Sequence, residues 1–370
     1  MVYSKKAQQS KVKKQVFELQ TEEGVIIDKK LIAKKFGQFF IEKVGKLRKN
    51  INTEDAEDPT ARLKEAMEGW TWKLEFRTVK EEEVECIIKK LSNKKSQGID
   101  EISPEILKLG GQSLVLPLTV IINKSIIENK FPEDWKIAVV KPLHKKGDKT
   151  LLKNYRPVSL LCTPGMILER VICKQLEAYF EGNGLLKDYQ FGFRARRGTI
   201  TACAAMNTII TEAKRKGMKS RALLYDLSAA FDTIDPENIC NKLRIYGLTQ
   251  EATKWMRSYL TKRRFLVKID NVKSELIDME VGTPQGSRLS PIIFSILMAD
   301  LDLWSRKGTI INFADDTSTI YSDREEDKIV GELEEDSKQI IKFMNSNSLC
   351  INPEKTAFLI SGKRKKEKKQ

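Results

Sequence analysis

The sequence predicts a mixed α/β fold of the α+β class, because helical and strand patterns alternate along the chain without an internal repeat. Apolar residues recur at three- and four-residue spacing over 31–47 and 84–91, which is typical of amphipathic helices. Short apolar runs at 137–140, 221–227 and 310–321 predict strands, the last of them a hairpin. With 370 residues, of which 41% are hydrophobic, the chain is long enough to bury a full core.

Capping residues mark where several helices begin. They are Asp28, Thr78 in a capping box with Glu81, Ser103 before Pro104, and Asp235 before Pro236. The helix after Ser103 is expected to end at the glycines 110–111, and another apolar helix to run to about residue 129. Residues 50–59 are polar and acidic and read as a linker.

The composition excludes several classes of protein. Six cysteines without a C-x-x-C pair, together with a single histidine, His144, argue against zinc sites and disulfide frameworks. They also exclude most hydrolases that use histidine as the base, unless His144 is that base. The 66 Lys and Arg residues exceed the 51 Asp and Glu residues, and the net charge of +15 indicates a polyanionic partner such as nucleic acid. The absence of a long apolar run or signal sequence predicts an intracellular protein of the nucleus or cytoplasm, without a membrane partner.

Three carboxylates carry the chemical prediction. Asp315 and Asp316 are expected at the tip of the hairpin 310–321, where a two-residue turn usually has Asn-Gly or Asp-Gly. Asp226 follows an apolar strand, a position that packing explains poorly. If that strand pairs beside the hairpin, the carboxylates converge and need divalent cations to neutralise them, which predicts phosphoryl or nucleotidyl transfer. Taken alone, the hairpin is equally well explained as an ordinary turn.

Six ordered segments give this chain a resemblance to a known family. They are NYRPVSLL at 154–161, YQFGFR at 189–194, the block that begins at Asp226, GTPQGSRLSP at 282–291, FADD at 313–316 and LCINPEKT at 349–356. In this order and wording they resemble the reverse transcriptases of non-LTR, LINE-like retrotransposons, over about residues 24–361. The resemblance implies a right-hand polymerase fold with fingers and palm, the palm an antiparallel sheet backed by helices.

The resemblance also implies a division of the chain. Residues 1–60 would form a basic N-terminal arm and an amphipathic helix, 61–185 a fingers-like region, 186–361 the palm with the polymerase motifs, and 362–370 a basic tail. Such elements normally carry an endonuclease and a thumb, which the chain is expected to lack, so a further polypeptide would supply them. The expected partners are an RNA template, a DNA primer and dNTPs.

Residue roles follow by the same resemblance. Asp226, Asp315 and Asp316 would bind two Mg²⁺ ions, or Mn²⁺, and activate the primer 3′-hydroxyl, and Lys355 would protonate the leaving pyrophosphate. The implied substrate-binding residues are Phe231 as steric gate, Gln285, Gly286, Ala314, Lys141 and Arg156. The implied nucleic-acid contacts are Lys145, Lys146, Gln190 and Arg194.

Plainer alternatives stand beside these roles. Phe231 has the composition of an ordinary core residue, the tripeptide 284–286 that of a turn, and most lysines that of a solvated surface. At the level of function, the alternatives are a catalytically inactive nucleic-acid-binding relic and a protein like the group II intron maturases.

Overall fold

The computed structural model describes residues 18–22, 24–52, 56–93 and 95–361. The strands are β1 (Leu19–Thr21), β2 (Gly24–Ile26), β3 (Ile137–His144), β4 (Tyr155–Leu160), β5 (Lys219–Tyr225), β6 (Arg263–Ile269), β7 (Val272–Lys273), β8 (Ile277–Met279), β9 (Thr309–Phe313), β10 (Asp316–Asp323) and β11 (Ala357–Ser361). The helices are α1 (Lys29–Lys49), α2 (Ala61–Ala66), α3 (Glu81–Lys89), α4 (Pro104–Gly110), α5 (Gln112–Ile127), α6 (Thr163–Gly182), α7 (Thr199–Arg215), α8 (Pro236–Ile245), α9 (Gln250–Leu260), α10 (Ser290–Leu297) and α11 (Glu326–Ser346). The predicted mixed α/β class is confirmed.

A four-stranded antiparallel sheet lies at the centre of the second half of the chain, in the order β11-β5-β10-β9. Ile310 and Ile311 are neighbours on β9 but belong to different apolar clusters, because successive side chains of a strand point to opposite faces. Helix α7 packs on this sheet through Ala202, and α11 packs on it as well, with Phe343 in the larger cluster. The predicted antiparallel sheet backed by helices is therefore present.

A mixed sheet of five strands, in the order β4-β3-β6-β7 with β8 beside β6, forms the other layer. Strands β3 and β6 run parallel, with Val139 opposite Leu266, so the sequence ranges 61–185 and 186–361 share one sheet. Helix α1 packs across β6 and β7, and the ring of Phe36 is fully buried there. The amphipathic helix of 1–60 is thereby part of this layer.

Three of the predicted caps are confirmed. Asp28 accepts a hydrogen bond from the Leu31 N–H at 2.7 Å, and Ser103 and Asp235 cap α4 and α8 in the same way. The capping box at Thr78 and Glu81 is wrong, since α3 begins at Glu81 with Lys80 as its N-cap.

A tertiary contact explains the shifted start of α3. The side-chain amide of Asn123 bonds both the N–H and the carbonyl of Val79, at 2.8 and 2.9 Å, and holds this residue outside the helix. Glu83 then accepts a hydrogen bond from the Lys80 N–H. Only the glutamate half of a capping box therefore forms, two residues later than the local sequence indicates.

Two further sequence predictions lie outside the described residues, namely the basic arm over residues 1–14 and the basic tail at 362–370. Within the described residues, no single helix has the length and apolar character needed to cross a bilayer; α4 and α5 reach them only together, across a bend of 112°.

Candidate active site

The hairpin of β9 and β10 places two of the three predicted carboxylates at one end of the four-stranded sheet. Phe313 pairs with Asp316, so the two turn residues are Ala314 and Asp315. The prediction that Asp315 and Asp316 together form the tip is wrong by one residue. Ala314 has φ +57°, the left-handed conformation that such a turn demands.

Asn312 fixes the conformation of this turn. Its side chain is 3% exposed, and its Nδ2 donates to the Ala314 carbonyl at 2.9 Å and to Thr317 Oγ1 at 2.9 Å. These two bonds bridge the turn from the strand before it to the strand after it. The amide offsets the cost of a non-glycine residue with positive φ, because it satisfies the carbonyl that this conformation turns inward.

Asp226 meets the hairpin from the neighbouring strand. It directly follows β5, and Tyr225 of β5 pairs with Thr317 of β10, so Asp226 and Asp316 lie at the same end of adjacent strands. Partial desolvation raises the pKa of Asp316, and the negative charges of Asp315 and Asp226 raise it further, while Lys355 opposes them. The three carboxylates therefore interact electrostatically, as the sequence predicts.

Lys355 is the cation beside these carboxylates. Its Nζ lies 3.0 Å from Asp226 Oδ2. The loop that carries it is held to the β5 end by two backbone hydrogen bonds, from Asn352 N–H to the Asp226 carbonyl and from Ser228 N–H to the Cys350 carbonyl, each 2.8 Å. Backbone hydrogen bonds of the segment 349–356 thus position Lys355 beside the carboxylates.

The donor chemistry of this cluster fits a hard divalent cation. Carboxylate oxygens are the ligands that Mg²⁺ prefers. Burial, and after it the like charges of Asp315 and Asp226, raise the pKa of Asp316, and a cation would neutralise those charges. Among the described residues, no three His, Cys, Asp or Glu side chains are already gathered as a ligand set. Lys355 holds one oxygen of Asp226, so a cation that binds this oxygen would compete with the lysine.

Phe231 lies five residues beyond Asp226 in the turn that leads to α8. Its ring is half-buried, with centroids 5.1 Å from Phe294 and 6.1 Å from Phe193. Phe294 is 1% exposed on α10, whereas Phe193 is 50% exposed. The predicted steric gate thus stands between a core ring and a surface ring.

Gln285 is joined to the turn of Phe231. Its Nε2 donates to both carboxylate oxygens of Asp232, each at 2.8 Å. Thr283 N–H donates to the Phe231 carbonyl at 2.8 Å, and Gly282 N–H donates to the Ile234 carbonyl at 2.7 Å. Burial raises the pKa of Asp232, and the Gln285 hydrogen bond opposes that rise. Asp232 was not among the residues predicted from the sequence, although it directly follows the gate position and is a second carboxylate in that segment.

Gly286 ties this turn to the mixed sheet. It has φ +128°, and a Cβ at this position would lie 2.8 Å from the Ser159 carbonyl oxygen. Ser159 N–H in turn donates to the Gln285 carbonyl at 3.0 Å. In this structure, the close approach that requires a glycine is therefore an approach to β4.

The predicted triphosphate and backbone contacts lie on β3 and β4 and in the loop that joins these two strands. Lys141 is opposite Val158 and Arg156 is opposite Leu143, and both basic side chains are exposed. Lys145 and Lys146 are exposed in the loop that follows β3. All four cations are accessible to an anionic ligand.

Gln190 and Arg194 do not have the position predicted for them. Gln190 is 1% exposed, and its Nε2 donates to the Ser295 carbonyl at 2.7 Å. The Arg194 side chain is 8% exposed and forms an ion pair with Glu181 at 2.5 Å. Because both polar groups are engaged with protein atoms, these residues brace the segment 189–194 instead of presenting groups to a template.

That braced segment supports the carboxylate turn. Phe191 N–H donates to the Asn312 carbonyl at 2.7 Å, and Asn312 N–H donates to the Tyr189 carbonyl at 2.8 Å. A Cβ at Gly192 would overlap the Ala314 amide nitrogen and lie 3.0 Å from its Cα. The motif YQFGFR is therefore a backbone support for the turn, which its sequence alone did not reveal.

Comparisons with known proteins identify a family model and several relatives that this chain matches. Residues 143–369 match the family model described as reverse transcriptase (RNA-dependent DNA polymerase). A probable RNA-directed DNA polymerase from transposon BS of Drosophila melanogaster is 30% identical over 297 residues, which cover 76% of this chain and 32% of that protein. The RNA-directed DNA polymerase from mobile element jockey of Drosophila melanogaster is 28% identical over 285 residues, covering 75% of this chain and 31% of that protein.

A solved structure is also similar. Apo telomerase from Candida tropicalis, truncated from the C-terminal domain, has 12% identity and a TM-score of 0.47, over 64% of this chain and 52% of that one. The chain spans about a third of the length of the curated relatives it matches.

Proposed function

The chain belongs to the reverse transcriptase (RNA-dependent DNA polymerase) family, and from this premise we propose that it extends a DNA primer with dNTPs on an RNA template. The observation that carries the proposal is the convergence of Asp226 with Asp315 and Asp316 at the ends of two paired strands. The four-stranded sheet would be the palm, and strands β3 and β4 of the mixed sheet would belong to the fingers. The net charge of +15 suits a nucleic-acid duplex.

Asp226, Asp315 and Asp316 would hold the divalent cations, Mg²⁺ or Mn²⁺. When bound, such ions lower the pKa of a coordinated hydroxyl and neutralise phosphate charge. The primer 3′-oxygen would attack the α-phosphorus of the dNTP, its proton would leave to solvent, and the bond to pyrophosphate would break. Lys355, released from Asp226, would give the leaving pyrophosphate a proton.

Other residues of the chain would bind and orient the nucleotide. Lys141 and Arg156 are exposed cations on one hairpin and would neutralise the triphosphate. Phe231 would stand under the sugar and exclude a 2′-hydroxyl by contact. Gln285 would present its side-chain carbonyl to the nucleotide, since both N–H···O bonds of its amide point to Asp232. Together, these four side chains would recognise the charge and the sugar of the nucleotide.

Primer extension on an RNA template tests the proposal. The wild-type chain should extend the primer with dNTPs and Mg²⁺, and Asp315→Ala/Asp316→Ala should abolish extension while retaining duplex binding. Asp323→Asn is the matched control, because it removes a carboxylate from the far end of the same strand, where Asp323 pairs with Lys328 at 2.7 Å. This control should extend at the wild-type rate. Tight binding without wild-type extension would reject the proposal in favour of an inactive nucleic-acid-binding protein.

A further inference from the structure

Phe193 combines two features that packing does not explain. Its φ is +60°, a conformation that bulky side chains rarely adopt. The residue is also 50% exposed, although its side chain is large and apolar. A strained, exposed aromatic residue persists where the surrounding structure over-determines it, and such positions cluster at functional sites.

The segment around Phe193 is held firmly on both sides. Gly192 packs directly on the Ala314 backbone, and Phe191 bonds the Asn312 carbonyl. On the other side, Arg194 is clamped by Glu181 through Nε and Nη2, at 2.8 and 2.5 Å. The backbone at Phe193 is thus held in place relative to the carboxylate turn.

The ring of Phe193 contacts Phe231, in an edge arrangement with an interplanar angle of 75°. Phe294 supports Phe231 as well, and it is fixed within the buried helix α10. A steric gate can reject a 2′-hydroxyl only if its ring does not yield when the sugar presses on it. Two supporting rings restrict that movement more than one, and Phe193 is the support that lies outside the core.

We propose that Phe193 is a positioning residue for sugar selection, which holds the Phe231 ring against displacement by a ribonucleotide. The inference rests on the proposed polymerase function and names the determinant of its substrate class. An aromatic pair contributes modestly, so loss of the Phe193 ring should lower the preference for dNTP over rNTP by roughly two- to tenfold. Phe231→Val, which removes the gate itself, should lower that preference further.

Three variants separate support from strain and from general surface effects. Phe193→Ala removes the ring and keeps a strained backbone, whereas Phe193→Gly removes the ring and the strain together. Equal loss of selectivity in both assigns the effect to the ring. Phe358→Ala is the matched control, because Phe358 on β11 of the four-stranded sheet is a phenylalanine of similar exposure, 51%, and should keep wild-type selectivity.

The measurement is the ratio of kcat/KM for dNTP and rNTP in single-nucleotide primer extension. The ratio should fall in Phe193→Ala and Phe193→Gly, whereas Phe193→Tyr, which keeps an aromatic ring, should keep the wild-type ratio. Adding Phe193→Ala to Phe231→Val should lower the ratio no further. Additive losses would mean that Phe193 acts on the substrate directly, and an unchanged ratio in the single variants would overturn the proposal.

A second readout requires no catalysis and separates the two proposals. A chain-terminated primer, the RNA template and the next dNTP or rNTP form a complex whose stability is compared for wild type and Phe193→Ala. The difference between the two nucleotides should narrow in the variant. A wild-type chain that neither extends the primer nor prefers dNTP here overturns the proposed function together with the role of Phe193. A wild-type preference that Phe193→Ala fully retains overturns the role of Phe193 alone.

Discussion

Gly192→Ala should disturb the carboxylate turn without touching a carboxylate. The added Cβ would overlap the Ala314 amide nitrogen and lie 3.0 Å from its Cα and 3.1 Å from the Phe313 carbonyl carbon. These are backbone atoms, so no side chain can move aside. The two segments must separate by about 1 Å, and a displacement of that size at a reacting centre lowers the rate roughly 100-fold.

The cost in stability should be smaller than the cost in rate. Overpacking of this kind destabilises by about 1–3 kcal/mol, which the chain can absorb while remaining folded. The assay is kcat for dNTP addition, beside a thermal unfolding curve of each protein. Gly331→Ala is the matched control, since a Cβ there meets no described atom within 4 Å on the exposed surface of α11. Full activity in Gly192→Ala would refute the view that the segment 189–194 positions the catalytic turn.

Three further predictions concern charges and hydrogen bonds of the site. Asp316→Asn should abolish extension and yet raise the melting temperature at pH 7, because folding raises the pKa of Asp316 and so disfavours its ionised form. The gain in melting temperature should vanish below the ordinary carboxylate pKa, near pH 4. A gain that persists at lower pH would contradict this prediction. Lys355→Met should lower both the Mg²⁺ concentration needed for half-maximal rate and the maximal rate. The control Lys328→Met, which removes the cation paired with Asp323, should change neither quantity. An unchanged Mg²⁺ dependence in Lys355→Met would show that Lys355 does not compete with the ion for Asp226. Asp232→Ala and Gln285→Ala should each raise the KM for dNTP roughly tenfold, as expected for a lost charge-assisted hydrogen bond. The double variant should have the same KM as the single variants. Additive effects on KM would mean that the two side chains act separately.

Local signals account for what the sequence could predict. The caps at Asp28, Ser103 and Asp235 depend on backbone groups two or three residues away, and each is present in the structure. The sequence shows a charge after one apolar strand and two more beside a turn, so it predicted that the carboxylates converge if these two segments pair. The pairing of β5 with β10, which brings the charges together, is given by the structure alone.

The errors come from partners that are distant in sequence. Gln190 was predicted to face a template, but its amide bonds Ser295, more than a hundred residues away. Thr78 failed as a cap because Asn123 binds the neighbouring Val79. The pairing of β3 with β6 is equally non-local, and no short motif signals it. Residue type indicates what a side chain can bind, whereas the fold decides which partner is near.

Iron-directed cleavage of the backbone tests most directly whether Asp226, Asp315 and Asp316 form one metal centre. Fe²⁺ replaces Mg²⁺ at sites built from carboxylate oxygens, and with ascorbate and peroxide it cuts the chain beside the bound ion. The wild-type chain should be cut next to Asp226 and within 314–316, and both cuts should disappear in Asp226→Asn and on addition of excess Mg²⁺. Cleavage elsewhere, or at one of the two segments without the other, would contradict the account of a single catalytic centre.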